Sequence, residues 1–367
     1  MTPNPTREET QRVLTDTQAF YRRSVRGSWA FDYLYSRKLA DAIAAGKLGY
    51  APGGRTTTLR HLIDKGHSQE AIVAAGVARD TDTGLVDVMR DRLTFPVLSP
   101  AGQVNAFLGR AAPGSTAPKY LNTPATDLYT KGETLYGLTE ETERLVRGIP
   151  AALVEGPMDR WAIRHAGSRI RPVAAVAPCG TAVTPDQLRA LATASKSPII
   201  LLADGDQPGR ASILKTWDVA RQAIPGHPVL AALLPAGSDP ADLVAAGRYR
   251  ELDDALRNAE PAAYVALDAA LGRTPATNPL HAAEIARSCA RRDLMALPAG
   301  SAAAYVQHVS ERLRLPHPDT TALILGGITG SAASPQAPPV RTTHPLARLN
   351  REHSPGVSPR YGISPGL

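Results

Sequence analysis

Between residues 151 and 234 short apolar runs alternate with longer segments of helical periodicity, and few folds accommodate that alternation. The apolar runs fall at residues 151–155, 173–177, 198–203 and 229–234, the third being the most apolar in the chain. The segments between them, 158–166, 186–193 and about 210–223, space their apolar residues at the helical period. Four strands and three helices in this order predict a largely parallel sheet with crossover helices. Sheets of this kind bind ligands beyond the carboxyl ends of their strands.

Glu155 and Asp204 each stand just past such an end. Asp206 lies two residues after Asp204, so an extended backbone sends both carboxylates to one side, and Gly205 lets the chain turn tightly between them. Asp159, four residues after Glu155, falls in the first turn of the next helix and points back toward the same crevice. Clustered carboxylates repel one another unless cations neutralise them, and oxygen ligands suit Mg²⁺ or Mn²⁺. Any one of these acids alone reads more readily as a helix cap or a solvated turn residue. The joint pattern favours a metal site: Glu155-Gly156-Pro157-Met158-Asp159, then Gly180-Thr181, then Asp204-Gly205-Asp206-Gln207-Pro208-Gly209-Arg210, each in its place in the alternation.

The flanks differ in kind. Residues 7–45 are helical in pattern, with Leu14, Phe20, Tyr21, Trp29, Phe31, Tyr33 and Leu34 supplying apolar faces, and short helices follow at 59–62 and 72–75. Strands are expected from about Gly84 on, with 93–98 and 104–108 joined through Ser99-Pro100-Ala101-Gly102 as a hairpin of a mixed sheet. Beyond Asp239 the pattern is helical again, with Ala282, Ile285, Ala286 and Cys289 on one face and Tyr305, Val309 and Leu313 on another. Residues 331–367 hold seven prolines and four arginines against Glu352, and read as a disordered basic tail. The expected class is α/β, α+β overall. Its parts are an N-terminal mixed α/β subdomain (1–148), a Rossmann-like parallel sheet (149–237), a helical subdomain (238–330) and the tail.

Composition narrows the function less. A net charge of +7 favours polyanionic partners, though many basic proteins bind no nucleic acid. Cys179 and Cys289 are too few for a four-cysteine zinc site or a disulfide framework, and both read as buried apolar groups in a reducing, cytoplasmic setting. The N-terminus lacks the order of a signal peptide, and no run approaches the roughly 18 apolar residues of a membrane span. The nine histidines form no close metal-ligand pair, and no nucleophile-elbow pattern supports serine hydrolysis.

The acidic constellation closely resembles the TOPRIM domain, specifically that of bacterial DnaG-type primases. Those carry Glu-Gly-Tyr-Met-Asp where this chain has Pro157 for the tyrosine, and Asp-Gly-Asp-x-Ala-Gly where it has Pro208 for the alanine. No carboxylate is changed. Their third acidic patch, Glu-Asp-Pro-Asp, appears here as Ser238-Asp239-Pro240-Ala241-Asp242. Asp239 aligns and Asp242 comes one residue late, so one metal position is either altered or filled by a shifted side chain. The resemblance runs over roughly residues 14–328 and includes Leu48-Gly49-Tyr50-Ala51-Pro52, Met89-Arg90-Asp91-Arg92-Leu93-Thr94-Phe95-Pro96-Val97, Phe107-Leu108-Gly109-Arg110, Pro118-Lys119-Tyr120-Leu121-Asn122-Thr123-Pro124 and Lys131-Gly132-Glu133-Thr134-Leu135-Tyr136-Gly137-Leu138.

That resemblance implies short RNA primers made on single-stranded DNA from nucleoside triphosphates by two-metal-ion nucleotidyl transfer. It implies Asp204 and Asp206 as prime ligands of Mg²⁺ or Mn²⁺, Asp159 and Asp239 as assistants, and Glu155 as either a ligand or the proton acceptor. Arg90, Arg92, Arg110, Lys119 and Lys131, with Tyr120 and Asn122, would hold template and nucleotide. The segment is locally basic, five Lys or Arg against Asp91 and Asp127, although a solvated basic sheet face reads equally well from composition. The two cysteines do not suffice for the family's zinc-ribbon module, and the Pro-rich stretch after residue 330 does not match its helicase-binding module, so neither is expected. The expectation is therefore a stripped core without zinc, plasmid- or phage-like, working with a separate helicase or initiator. Two alternatives use the same acids differently: a TOPRIM nuclease, and a non-catalytic nucleic-acid-binding adaptor.

Overall fold

The computed structural model describes residues 4–272 and 279–328. The first part runs α1 (Arg7–Ser24), α2 (Trp29–Ser36), α3 (Ala40–Ala44), β1 (Gly49–Ala51), α4 (Thr57–Asp64), α5 (Gln69–Ala74), β2 (Ala78–Arg79), β3 (Val86–Asp87), β4 (Arg92–Leu98), β5 (Val104–Ala111) and β6 (Tyr120–Asn122). Then come β7 (Leu135–Tyr136), α6 (Leu138–Val146), β8 (Ala151–Leu153), α7 (Pro157–Ala166), β9 (Ala174–Pro178), α8 (Pro185–Ala194), β10 (Ile199–Ala203), α9 (Gln207–Ala223) and β11 (Val229–Leu233). The rest is α10 (Pro240–Ala246), α11 (Tyr249–Arg257), β12 (Glu260–Pro261), α12 (Ala262–Gly272), α13 (Pro279–Asp293), α14 (Ala302–Leu313) and α15 (His317–Ile328). The tail expected over 331–367 lies outside the described residues.

The hairpin β4–β5 is the centre of a four-stranded antiparallel sheet in the order β1-β4-β5-β6. Strands therefore begin well before Gly84: β1 pairs Tyr50 with Leu93. A second sheet has the order β12-β11-β10-β8-β9-β7. Its four inner strands are the parallel set expected from the alternation, and its two edge strands run antiparallel. Both edges come from outside 149–237. β7 pairs Leu135 with Pro178, and β12 pairs Glu260 with Ala231, so each flanking segment is stitched into this sheet.

Alternate residues of the inner strands enter different cores, as the period of two requires. Ala152, Val154, Ala175, Ala177, Ile200 and Leu202 pack with α7, α10, α11 and the Leu93–Phe95–Val97 face of β4. Ala151, Leu153, Ala174, Val176, Ile199 and Leu201 pack with α8, α9, α12, α13 and α14. The helix that follows β8 thus covers one face, and the helix that follows β10 covers the other. β8 and β10 are neighbours, with Leu153 opposite Leu201. Their connections diverge between them, which opens a crevice at their carboxyl ends.

The entry of α7 into that crevice is braced from below. Fully buried Arg160 donates to Glu141 of α6 at 3.3 Å, and the same carboxylate accepts from Arg144 (2.7 Å) and Arg164 (3.1 Å). Arg160 also lies over the rings of Tyr136 and Trp161, and Trp161 Nε1 donates to the Tyr136 hydroxyl at 2.7 Å.

Candidate active site: an acidic crevice facing a cationic wall

A cavity of about 810 Å³ occupies the crevice, and Glu155, Asp159, Asp204 and Asp239 line it. Each arrives from a different piece of local structure. Glu155 follows β8, Asp159 sits in the first turn of α7, Asp204 follows β10, and Asp239 caps α10 by accepting from Asp242 N at 2.6 Å. Asp206 stands exposed at the rim, where it caps α9 by accepting from Gly209 N at 2.8 Å.

The carboxyls of this crevice act on one another. Burial, followed by the charges of Asp239, Asp204 and Glu155, pushes the Asp159 carboxyl up to about 8. Burial and the charges of Glu155, Asp239 and Asp206 push Asp204 up to about 6. Glu155 is also raised, first by partial desolvation and then by the charges of Asp206 and Asp239, while Lys119 opposes the rise at all three. Among the described residues no three acidic, histidine or cysteine side chains converge as a ready-made cage. Dispersed carboxylates of this sort fit Mg²⁺, which keeps several waters and takes one or two carboxylates together with substrate phosphates.

The two glycines of the second acidic stretch are required by space. A Cβ on Gly205 would stand 1.9 Å from the Leu234 carbonyl oxygen, and one on Gly209 would stand 2.1 Å from that of Asp204. Neither has a positive φ. The tight turn read from Gly205 is thus a close approach of two backbone segments, 205 against 234–236, rather than a left-handed residue.

Opposite the acids stand β5, β6 and the end of α2. Arg110 donates to the Tyr120 hydroxyl at 2.9 Å and lies over the rings of both Tyr120 and Tyr33. Lys119, Tyr120, Asn122 and Lys131 line the same cavity, with Asn122 accepting from the Tyr129 hydroxyl at 2.9 Å. Arg90 is exposed and outside the cavity. Arg92 requires correction as a nucleic-acid contact. It is 5% exposed, and its Nη1 donates to the carbonyls of Gly109 (3.1 Å) and Pro118 (2.9 Å), which ties β5 to the loop carrying Lys119. Accordingly Arg92→Met is expected to lower the urea-derived stability by about 1–3 kcal/mol. It should leave the salt dependence of DNA binding unchanged, whereas loss of a phosphate contact lowers that slope by about 1.

Sequence reasoning took Tyr33 only as part of an apolar face and passed over Arg37; both line the cavity, Tyr33 on α2 and Arg37 at its C-cap, and their four-residue spacing was the available signal. Arg37 forms an ion pair with Asp242, so the late acid of the third patch is engaged at the rim and Asp239 alone faces the cavity. Cys179 is buried beside the cavity, and burial pushes its thiol up to about 11, which suits a packing role.

Two family models match the chain: "DNA primase catalytic core, N-terminal domain" over residues 20–142 and "Toprim-like" over residues 152–244. The DNA primase of Deinococcus radiodurans is 36% identical over 255 residues, covering 68% of this chain and 43% of that protein. A DNA primase domain from Pseudomonas aeruginosa superposes with a TM-score of 0.71 at 29% identity, over 86% of this chain and 99% of that one. The chain belongs to the DnaG-type primase catalytic cores. A structure of the DnaG catalytic domain bound to single-stranded DNA is also similar, with a TM-score of 0.72 at 25% identity, over 85% of this chain and 98% of that one. The chain spans less than half the length of the curated primases it matches. As a primase core its Toprim-like segment implies catalysis with a divalent metal, Mg²⁺. Among the described residues no helix is long and apolar enough to cross a membrane.

Proposed function

We propose that this chain makes short RNA primers on single-stranded DNA by nucleotidyl transfer, with Glu155, Asp159, Asp204, Asp206 and Asp239 holding Mg²⁺ or Mn²⁺. The observation that carries this reading is the meeting of carboxylates from the ends of β8 and β10 with α7 and α10, across one cavity from Arg110 and Lys119. These carboxylates would hold the divalent ions, and the chemistry supplied there would be positive charge that offsets the charge developing on the phosphates and the departing pyrophosphate.

The chain's own residues have separable tasks. Arg110, held over Tyr33 and Tyr120, presents a preorganised guanidinium to a phosphate, and Lys119 supplies a charge on a flexible stem facing the acids. Tyr120 and Asn122 offer polar groups beside them, and Lys131 guards the β9 side. Tyr33 and Tyr120 give stacking faces of the sort that single-stranded templates use. Similarity to a DnaG catalytic domain bound to single-stranded DNA supports single-stranded DNA as the template.

The test is direct. Purified protein with single-stranded DNA, labelled nucleoside triphosphates and Mg²⁺ or Mn²⁺ should yield oligoribonucleotides, and chelation should stop the reaction. Metal-dependent DNA cleavage without synthesis would point to a nuclease, and template binding without either reaction to an adaptor.

A further inference from the structure

A second groove, of about 720 Å³, opens at the other end of the larger sheet, among the loops that lead into β8, β9 and β10 and the last turn of α11. The five residues of β10, at about 3.3 Å each, set it roughly 16 Å from the acidic crevice. Pro150, Pro172 and Pro198 stand at the entries to these strands and line it. A proline has no N–H to offer, and the carbonyls of Pro150 and Pro198 already accept from Ala174 N (2.8 Å) and Ala151 N (3.1 Å). The accessible floor is therefore pyrrolidine rings, with half-buried Ile149 and Leu230 beside them.

The rim is cationic, with Arg169, Arg171 and Arg257 standing against Asp253. Both oxygens of Asp253 are engaged, one by Arg171 N and the other by Arg257 Nε, each at 2.6 Å. Arg171 also donates Nη1 to the Leu256 carbonyl, and Arg169 lies over the Tyr249 ring, but neither guanidinium forms an ion pair among the described residues. An apolar floor edged by two unneutralised guanidiniums complements a ligand that carries an apolar side chain beside carboxylates. It suits single-stranded nucleic acid poorly, because the lining contains no aromatic face for a base. The basic stretch 331–367 would meet charge of its own sign there.

We propose that this groove receives a short peptide segment of a partner protein, with an aliphatic or aromatic side chain against the prolines and flanking carboxylates on Arg169 and Arg171. A partner held at this end of the sheet leaves the crevice open to template, so it tethers the catalytic core without competing for its substrates. The probe is a short labelled peptide with Leu-Phe at its centre and Asp on both sides, and binding to the full chain is read by fluorescence anisotropy. Its dissociation constant should be on the order of 10–100 µM, the weak range of a small contact. Peptides with Lys in place of Asp, or Ser in place of Leu-Phe, should not bind. Arg169→Glu should weaken binding at least about tenfold, and Arg169→Lys less than about threefold. Arg60→Glu, at an exposed site on α4, and Lys119→Glu, on the wall of the crevice, should each change it less than about twofold. No binding at millimolar peptide, an equal loss in Arg60→Glu, or a loss in Lys119→Glu instead of Arg169→Glu would overturn the proposal. So would displacement by oligo-dT, tighter binding of a synthetic 331–367 peptide, or a dimer of the full chain that Arg169→Glu dissolves, which would give the groove to nucleic acid, to the chain's own segment or to a second copy.

Discussion

Asp204→Asn is expected to fold as the parent does and to make primers at least about 10²–10³-fold more slowly, the loss that follows removal of one preorganised charge-stabilising group. The side chain is half-buried, none of the hydrogen bonds among the described residues holds it, and its neighbours push its carboxyl up to about 6. Asn keeps the shape and discards a charge that the fold resists. Thermal unfolding without metal should consequently show no loss of stability, and near-neutral pH should show a small gain. Circular dichroism and a primer-synthesis time course on the same preparation separate the two effects. A variant retaining half of the parental rate would remove Asp204 from the chemistry.

Asp159→Asn should produce the clearest opposition between stability and activity. Asp159 is 8% exposed, and burial with three neighbouring acids pushes its carboxyl up to about 8. Below about pH 4 the group is protonated in both the folded and the unfolded chain and contributes nothing. Between about pH 4 and pH 8 the unfolded chain has released this proton while the folded chain keeps it, so stability falls as pH rises. Each unit of separation corresponds to about 1.4 kcal/mol, and the total is on the order of a few kcal/mol. Metal-free Asp159→Asn should therefore melt several degrees above wild type at pH 8, with the gap closing toward pH 4. Added Mg²⁺ should raise the wild-type Tm more than the variant's, while primer synthesis by the variant falls steeply. Parallel melting curves across that pH range would show that Asp159 is not under this strain.

Much of this arrangement was legible in the sequence because its signals are periodic. The inner strands are apolar on both faces and separated by helices of about three to five turns, and Glu155, Asp204 and Asp206 fall in the loops that end the strands, where side chains are free to serve chemistry. What stayed illegible was short or contextual. β1, β7 and β12 contain two or three residues each, too few for a period to emerge, and only their partners Leu93, Pro178 and Ala231 make them strands. Arg92 and Arg110 are alike in composition, yet one spends its guanidinium on the carbonyls of Gly109 and Pro118 and the other faces the acids across the cavity. The partner of Asp242 is Arg37, 205 residues away, which no local pattern announces.

Anomalous diffraction from crystals grown or soaked with Mn²⁺ measures the main proposition without reference to turnover. Manganese density should appear in the crevice between Glu155, Asp204 and Asp206, with water completing the coordination, and should vanish in Asp204→Asn. Manganese found only at acids elsewhere on the surface, or a crevice without density at saturating Mn²⁺, would contradict the shared-cation account.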